Sequence, residues 1–258
     1  MRQTITGTDW LRVLRSDPAP RHQLVCFPPG GGSVNAYQEM AGRLGTGAAV
    51  LGVQYPGRQD RIGEPAIPDL EELADRIAVE LLRQRPITGL SLFGHSMGAT
   101  LAFETARRLE GAGQPVGSLF VSGRPAPTFE ESGRLHLGSD DDLIAELERL
   151  ANDPAPIGVL RAEPAVAELV LPALRSDYQA VETYRYRPGD PLSCDLAVLF
   201  GTDDPTVDHA RATEWEPHTT GAYTVAPFPG GHFYLDERVD GVVAVVATRL
   251  GLRPEADR

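Results

Sequence analysis

Three residue types in this chain could together make a nucleophile from an alcohol. Ser96 lies in Gly94-His95-Ser96-Met97-Gly98, a G-x-S-x-G run with an apolar stretch before it and a helical pattern after it. A serine hydroxyl is a poor nucleophile at neutral pH, so it needs a base to take its proton and a carboxylate to orient that base. His232 in "PGGHFYL" and the pair Asp203 and Asp204 in "GTDDPTV" are the candidates. "G-x-x-D-x-x-V" describes Gly201, Asp204 and Val207, and Pro205 would shape the turn that follows, so Asp204 is favoured over Asp203, which reads as a solvated loop residue. By itself G-x-S-x-G also describes a tight strand–helix turn whose serine is only an N-cap. The partners and their order, serine then aspartate then histidine, make the chemical reading much stronger.

The glycines beside Ser96 have a physical purpose. A nucleophile on a sharp strand-to-helix turn crowds neighbouring backbone on both sides, where a side chain fits badly. Such a turn also leaves free helix N–H groups facing whatever the serine attacks. Oxyanion stabilisation needs two donors. One is the N–H of Met97, and the glycine-rich loop "FPPGGGS" offers the other, with Gly30 the best candidate. His95 adjoins the nucleophile, but its side chain is expected to pack away from the site. His22, His136, His209 and His218 have no matching nucleophile and read as surface residues.

These residues require elements that bring distant loops together. "HQLVCF", "AAVLGVQY", "GLSLFG", "GSLFVSG", "CDLAVLFG" and "AYTVAPF" are short apolar runs. Amphipathic helices separate most of them, including one opened by Asp69 as N-cap and carrying Leu70, Leu73, Ile77, Leu81 and Leu82. Apolar strands alternating with helices predict an α/β domain with a mostly parallel sheet covered on both faces. In such sheets ligands meet the carboxyl ends of the strands, where the serine, aspartate and histidine loops all fall. From about 125 to 186 the pattern holds helices without strands, one over "DDDLIAELERLAN" and one or two over "EPAVAELVLPALRSDYQAVETY", interrupted at Pro172. This block is expected to form a helical lid over one edge of a single domain spanning 1–258.

Composition narrows the partners. Lys+Arg number 24 against 36 Asp+Glu in 258 residues, a net charge of −12. That balance argues against nucleic acid and anionic membranes as partners. No run approaches the roughly 18–20 apolar residues of a membrane span, and the polar N-terminus has no apolar core of a secretory signal. Cys26 and Cys194 lie in or beside strand-like runs and read as reduced, buried thiols. A cytoplasmic location is the simplest expectation.

Six blocks in order, "CFPPGGGSVNAY", "VQYPGRQDRIGEP", "LFGHSMGATLAFETARRL", "LFVSGRPAP", "GTDDPTV" and "FPGGHFYL", resemble the type II thioesterases of polyketide and nonribosomal peptide assembly lines. The resemblance runs from about Leu24 to Leu250. It implies the α/β-hydrolase fold with a helical lid, and hydrolysis of acyl groups from the phosphopantetheine arm of acyl or peptidyl carrier proteins. It implies Ser96, Asp204 and His232 as the catalytic set and Gly30 and Met97 as oxyanion donors, although the family often has alanine at Gly30. No cofactor or metal of its own is expected, because the phosphopantetheine belongs to the substrate. Carrier proteins are acidic, as this chain is, so contact should be apolar or use a patch of arginines. The lid should contribute Leu143, Ile144, Leu147, Leu150, Val166, Leu169, Val170 and Leu174 to an acyl chamber or to its own packing, and its prolines, Pro154, Pro156, Pro164 and Pro172, point to a lid that moves. Arg58 in "YPGRQDR" is also family-like, and is expected to brace its loop through hydrogen bonds to carbonyls.

Overall fold

The structure is a computed structural model and describes residues 4–252. Residues 1–3 of the polar N-terminal stretch, and 253–258, lie outside the described residues. Seven strands form one sheet: β1 (Leu11–Arg15), β2 (His22–Phe27), β3 (Ala48–Val53), β4 (Leu90–His95), β5 (Ser118–Ser122), β6 (Asp195–Gly201) and β7 (Tyr223–Phe228). Their order is β1-β3-β2-β4-β5-β6-β7, parallel throughout except for β1, which runs antiparallel to β3 at one edge. Strand β1 was not anticipated. Leu11 is fully buried in one core and Leu14 packs against the other, but Val13 is half-exposed and Arg12 and Arg15 break up the apolar run. A short edge strand with charged side chains presents a weaker apolar run than a central strand.

The helices are α1 (Gln38–Arg43), α2 (Leu70–Leu82), α3 (Met97–Gly111), α4 (Asp140–Leu150), α5 (Val159–Ala162), α6 (Pro164–Thr183), α7 (His209–Thr213), α8 (Tyr234–Glu237) and α9 (Val239–Leu250). The sheet is buried on both faces because successive side chains alternate. Val25, Phe27, Leu51 and Val53 meet Leu73, Ile77 and Leu81 of α2 and Leu101 of α3. Leu24, Cys26, Val50, Phe93 and Leu199 meet Met40 of α1 and Val242, Val243 and Val246 of α9. Burying each such side chain contributes about 1.5–3 kcal/mol. The Asp69 carboxylate accepts from the Glu72 N–H at 2.8 Å and caps α2 as expected, a contact typically worth about 1 kcal/mol.

Between β5 and β6 the chain is helical, with a small core of its own: Leu143, Ile144, Leu160, Leu171 and Leu174. Ser139 and Asp142 close a reciprocal capping box at the start of α4. The expected interruption at Pro172 does not occur, and α6 runs through it for 20 residues. The packed flanks, Leu171 and Leu174, hold the helix across the missing N–H.

The register places the carboxyl ends nearly flush. Phe27 pairs with Gly94, His95 with Ser122, Ser122 with Leu199, and Gly201 with Phe228. The loops after β2, β4, β6 and β7 therefore leave the sheet along one edge, and they carry Gly30, Ser96, Asp204 and His232 respectively.

Candidate active site

Ser96 sits between the end of β4 and the first residue of α3 with φ 54° and ψ −122°. Non-glycine residues rarely adopt this conformation, and it persists only where the surroundings enforce it. The Ser96 N–H donates to the Ser122 carbonyl at 2.8 Å, and the Ala99 N–H to the Ser96 carbonyl at 2.9 Å. A Cβ at Gly94 would lie 2.0 Å from the Gly98 carbonyl oxygen, and one at Gly98 would lie 2.0 Å from the Phe27 carbonyl oxygen. At Gly30 a Cβ would meet nothing nearer than the Asp177 Cβ at 3.5 Å. Gly98→Ala is therefore expected to cost at least about 3 kcal/mol, whereas Gly30→Ala should leave stability unchanged or raise it by up to about 1 kcal/mol. Thermal melts of the two variants check this, and a stable Gly98→Ala would contradict the crowding.

The structure brings the predicted partners to this serine. The Nε2 of His232 is 3.0 Å from Ser96 Oγ, and its Nδ1 is 2.9 Å from Asp204 Oδ2. Both partners are nearly excluded from solvent, His232 at 2% exposure and Asp204 at 8%. Asp203 is exposed, and its N–H donates to the Gly230 carbonyl. The two loops touch tightly: a Cβ at Gly201 would be 2.2 Å from the Gly231 carbonyl oxygen. Thr206, which sequence reasoning passed over, holds the other carboxylate oxygen. Its N–H and hydroxyl donate to Asp204 Oδ1 at 2.8 and 2.7 Å. The signal was present in Asp-x-Thr, where an aspartate bonds the backbone two residues ahead. With Oδ1 occupied in this way, Oδ2 is left to accept from the Nδ1–H of His232, and the Nε2 lone pair faces Ser96.

Gly30 and Met97 line the same 310 Å³ cavity as Ser96 and His232. Among the described residues no hydrogen bond engages the Gly30 N–H, and the Met97 N–H is among those at a helix start that lack an intrahelical acceptor. The loop that carries Gly30 is clamped by charge. The Asp177 carboxylate of α6 accepts from the Gly31 N–H at 2.7 Å and from Arg58 Nη1 and Nη2 at 2.8 and 2.7 Å. Arg58 does donate to one carbonyl, that of Gly32, at 3.2 Å. Its principal partner, however, is a carboxylate 119 residues away, which corrects the expectation of carbonyl bracing alone. Burial opposes the Arg58 charge, but the adjoining Asp177 outweighs it and raises the guanidinium pKa.

The helical segment splits its apolar residues between two duties. Leu147 and Leu150 line the serine cavity, together with Tyr178 and Val181. Leu143, Ile144 and Leu174 pack into the segment's own core, with Val166 partly buried against it, while Leu169 and Val170 are 58% and 37% exposed. The cavity wall is also more charged than the apolar chamber expected: Arg124 pairs with Glu131 at 2.6 Å and Arg149 with Glu146 at 2.7 Å. Among the described residues no cluster of three or more His, Cys, Asp or Glu could hold a metal ion, and no helix is long and apolar enough to cross a membrane. Cys26 and Cys194 are free and buried.

His95 is fully buried, with Nδ1 2.9 Å from Ser122 Oγ, but it does not pack away from the site as expected: its ring centroid is 4.9 Å from that of His232. Burial, and then the neighbouring His232, push its pKa well down, so it stays neutral. Two other histidines depart from the surface reading. His218 is buried among the rings of Phe103, Tyr186 and Trp215, with its pKa lowered by burial and then by Arg107. His136 is tied to Glu182. Each is drawn in by a partner distant in sequence, which local pattern does not reveal.

A model of the thioesterase domain family matches residues 22–250. The chain is 44% identical over 247 residues to a protein of Streptomyces griseus described as "Probable cadicidin biosynthesis thioesterase", covering 95% of this chain and 67% of that one. It is 39% identical over 230 residues to thioesterase PikA5 of Streptomyces venezuelae, covering 89% and 81%. Its fold superposes on the solved structure of the type II thioesterase BorB from the borrelidin biosynthetic cluster with a TM-score of 0.84 and 44% identity, covering 95% of this chain and 100% of that one. With its parallel sheet, its flush strand ends and this degree of likeness, the chain belongs to the thioesterase domain family and carries the α/β-hydrolase fold.

Proposed function

We propose that this chain hydrolyses acyl thioesters from the phosphopantetheine arm of acyl or peptidyl carrier proteins, with Ser96 as nucleophile, His232 as base and acid, and Asp204 as the carboxylate that orients it. The observation that carries this reading is the unbroken line from Asp204 through His232 to the Ser96 hydroxyl, at 2.9 and 3.0 Å, in a chain of the thioesterase family. In the first half-reaction the Ser96 proton passes to His232 Nε2 as Oγ bonds the thioester carbonyl carbon. The N–H groups of Gly30 and Met97 donate to the oxygen that gains charge. As the carbon–sulfur bond breaks, His232 returns the proton to the departing thiol. Water then repeats the sequence on the acyl-serine, leaving the free acid and restoring Ser96. Carrier and arm are substrate throughout.

The helical segment between β5 and β6 serves in this reading as the lid, and Leu147 and Leu150 bring it into contact with the acyl group. We place the reaction in the cytoplasm, where two unpaired buried thiols would stay reduced. An ester hydrolase on the same site is the competing activity. Rates on acyl-carrier, acyl-coenzyme A and aryl ester substrates, with the carrier followed by intact mass, separate the two. The expected result is loss of the acyl mass from the carrier at the highest kcat/KM of the three. An aryl ester cleaved far faster than any thioester would overturn the reading.

A further inference from the structure

Among the described residues, the charges lining the serine cavity are balanced at every position but one. Arg124 and Arg149 face Glu131 and Glu146. Asp177 is held by Arg58, and Glu182 accepts from the N–H groups of Leu135 and His136 and from the His136 ring. Arg211 lines the same wall and has no carboxylate partner among the described residues. It is nonetheless held in place. Its guanidinium lies over the Phe129 ring, 4.8 Å from the centroid, and Nη1 donates to the Thr206 carbonyl at 2.8 Å. Among the described residues no hydrogen bond engages its Nε or Nη2, and neither atom is among the buried polar atoms left without a partner. A fixed, partly desolvated fork of N–H donors open to a cavity matches an anionic oxygen group better than any other ligand chemistry.

We propose that Arg211 determines substrate specificity by receiving an anionic oxygen group of the thioester substrate. Two sources share that chemistry: a carboxylate carried on the acyl group, and the phosphate of the carrier's arm. A short line of contacts joins the guanidinium to the nucleophile. Arg211 bonds the Thr206 carbonyl, the Thr206 hydroxyl lies 3.3 Å from His232 Nδ1, and His232 Nε2 lies 3.0 Å from Ser96 Oγ. That short reach favours the acyl carboxylate, since the phosphate sits at the far end of the arm. The inference rests on the thioesterase reading given above and adds to it the charge class of the acyl group.

The test uses four thioesters: acetyl and malonyl groups, each on a carrier protein's arm and each on N-acetylcysteamine, which has no phosphate. Wild type, Arg211→Gln and Arg211→Lys are compared on all four, with thermal melts to establish that each variant is folded. Loss of one charge-assisted contact lowers kcat/KM roughly ten- to hundredfold, mainly through KM. For an acyl carboxylate, Arg211→Gln loses activity on both malonyl substrates and neither acetyl one. For the arm's phosphate, it loses activity on both carrier substrates and neither N-acetylcysteamine one. In each case Arg211→Lys keeps part of the difference. An unchanged kcat/KM, or an equal fall on all four, overturns the proposal, the equal fall marking Arg211 as a brace for the Thr206 loop. Wild type inert on all four, yet active on aryl esters, removes the thioesterase reading and this inference with it.

Discussion

Ser96→Ala is expected to lower kcat on an acyl-carrier substrate by roughly 10⁴- to 10⁶-fold, while the protein stays folded. The substitution removes only Oγ. His232 remains bonded to Asp204, Asp204 remains held by Thr206, and the backbone donors proposed at Gly30 and Met97 are untouched. What is lost is the atom that would form the acyl-enzyme, so no later step can compensate. Any residual rate would come from substrate binding and the N–H donors acting on direct attack by water. Alanine adopts the positive φ at this position about as poorly as serine, so the melting temperature should change by no more than a few degrees. Intact mass of acyl-loaded carriers before and after treatment is the measurement. Turnover within tenfold of wild type would remove Ser96 from the mechanism, whatever the geometry.

The second large effect concerns stability. Asp177→Ala should destabilise the protein by about 3–5 kcal/mol, because it leaves the Arg58 charge buried without its partner. Arg58 and Asp177 are 8% and 2% exposed and joined by two hydrogen bonds, so solvent cannot replace the lost carboxylate. For a chain of this size that corresponds to a fall of roughly 10 °C in Tm. The Gly31 N–H also loses its acceptor, which frees the loop carrying Gly30 from α6. Turnover per folded molecule should therefore fall, but by much less than in Ser96→Ala. Replacing both partners, as in Arg58→Met with Asp177→Leu, should recover most of the lost stability, since the penalty comes from the stranded charge. Thermal melts of the single and double variants decide this. Equal Tm values for Asp177→Ala and wild type would mean that the pair carries no net stability.

Much of the site could be read from the chain because its parts are local. The glycines of "GHSMG" and the turn residues of "GTDDPTV" and "PGGHFYL" act within a few positions of the residues they shape, and parallel α/β topology brings such loops to one edge of the sheet. The fold was legible for the same reason: the central strands are buried on both faces, so each announces itself as an apolar run. Strand β1 escaped because Arg12 and Arg15 interrupt its short apolar run, as charged residues do on edge strands. The continuity of α6 across Pro172 escaped because tertiary packing, rather than propensity, holds it together.

The division has one physical cause. Sequence by itself determined the strand-to-helix turn at Ser96, the order of serine, aspartate and histidine, the alternating architecture and the resemblance to thioesterases, since each depends on residue types over short spans. Only the tertiary structure decided that Arg58 answers to Asp177, that Thr206 completes the hold on Asp204, that Leu147 and Leu150 rather than Leu143 and Ile144 face the cavity, and that Arg211 stands in the cavity wall without a counter-charge among the described residues. Buried charges and lining side chains take their partners from whichever element the fold packs against them, and Arg58 and Asp177, for one, lie 119 residues apart in the chain.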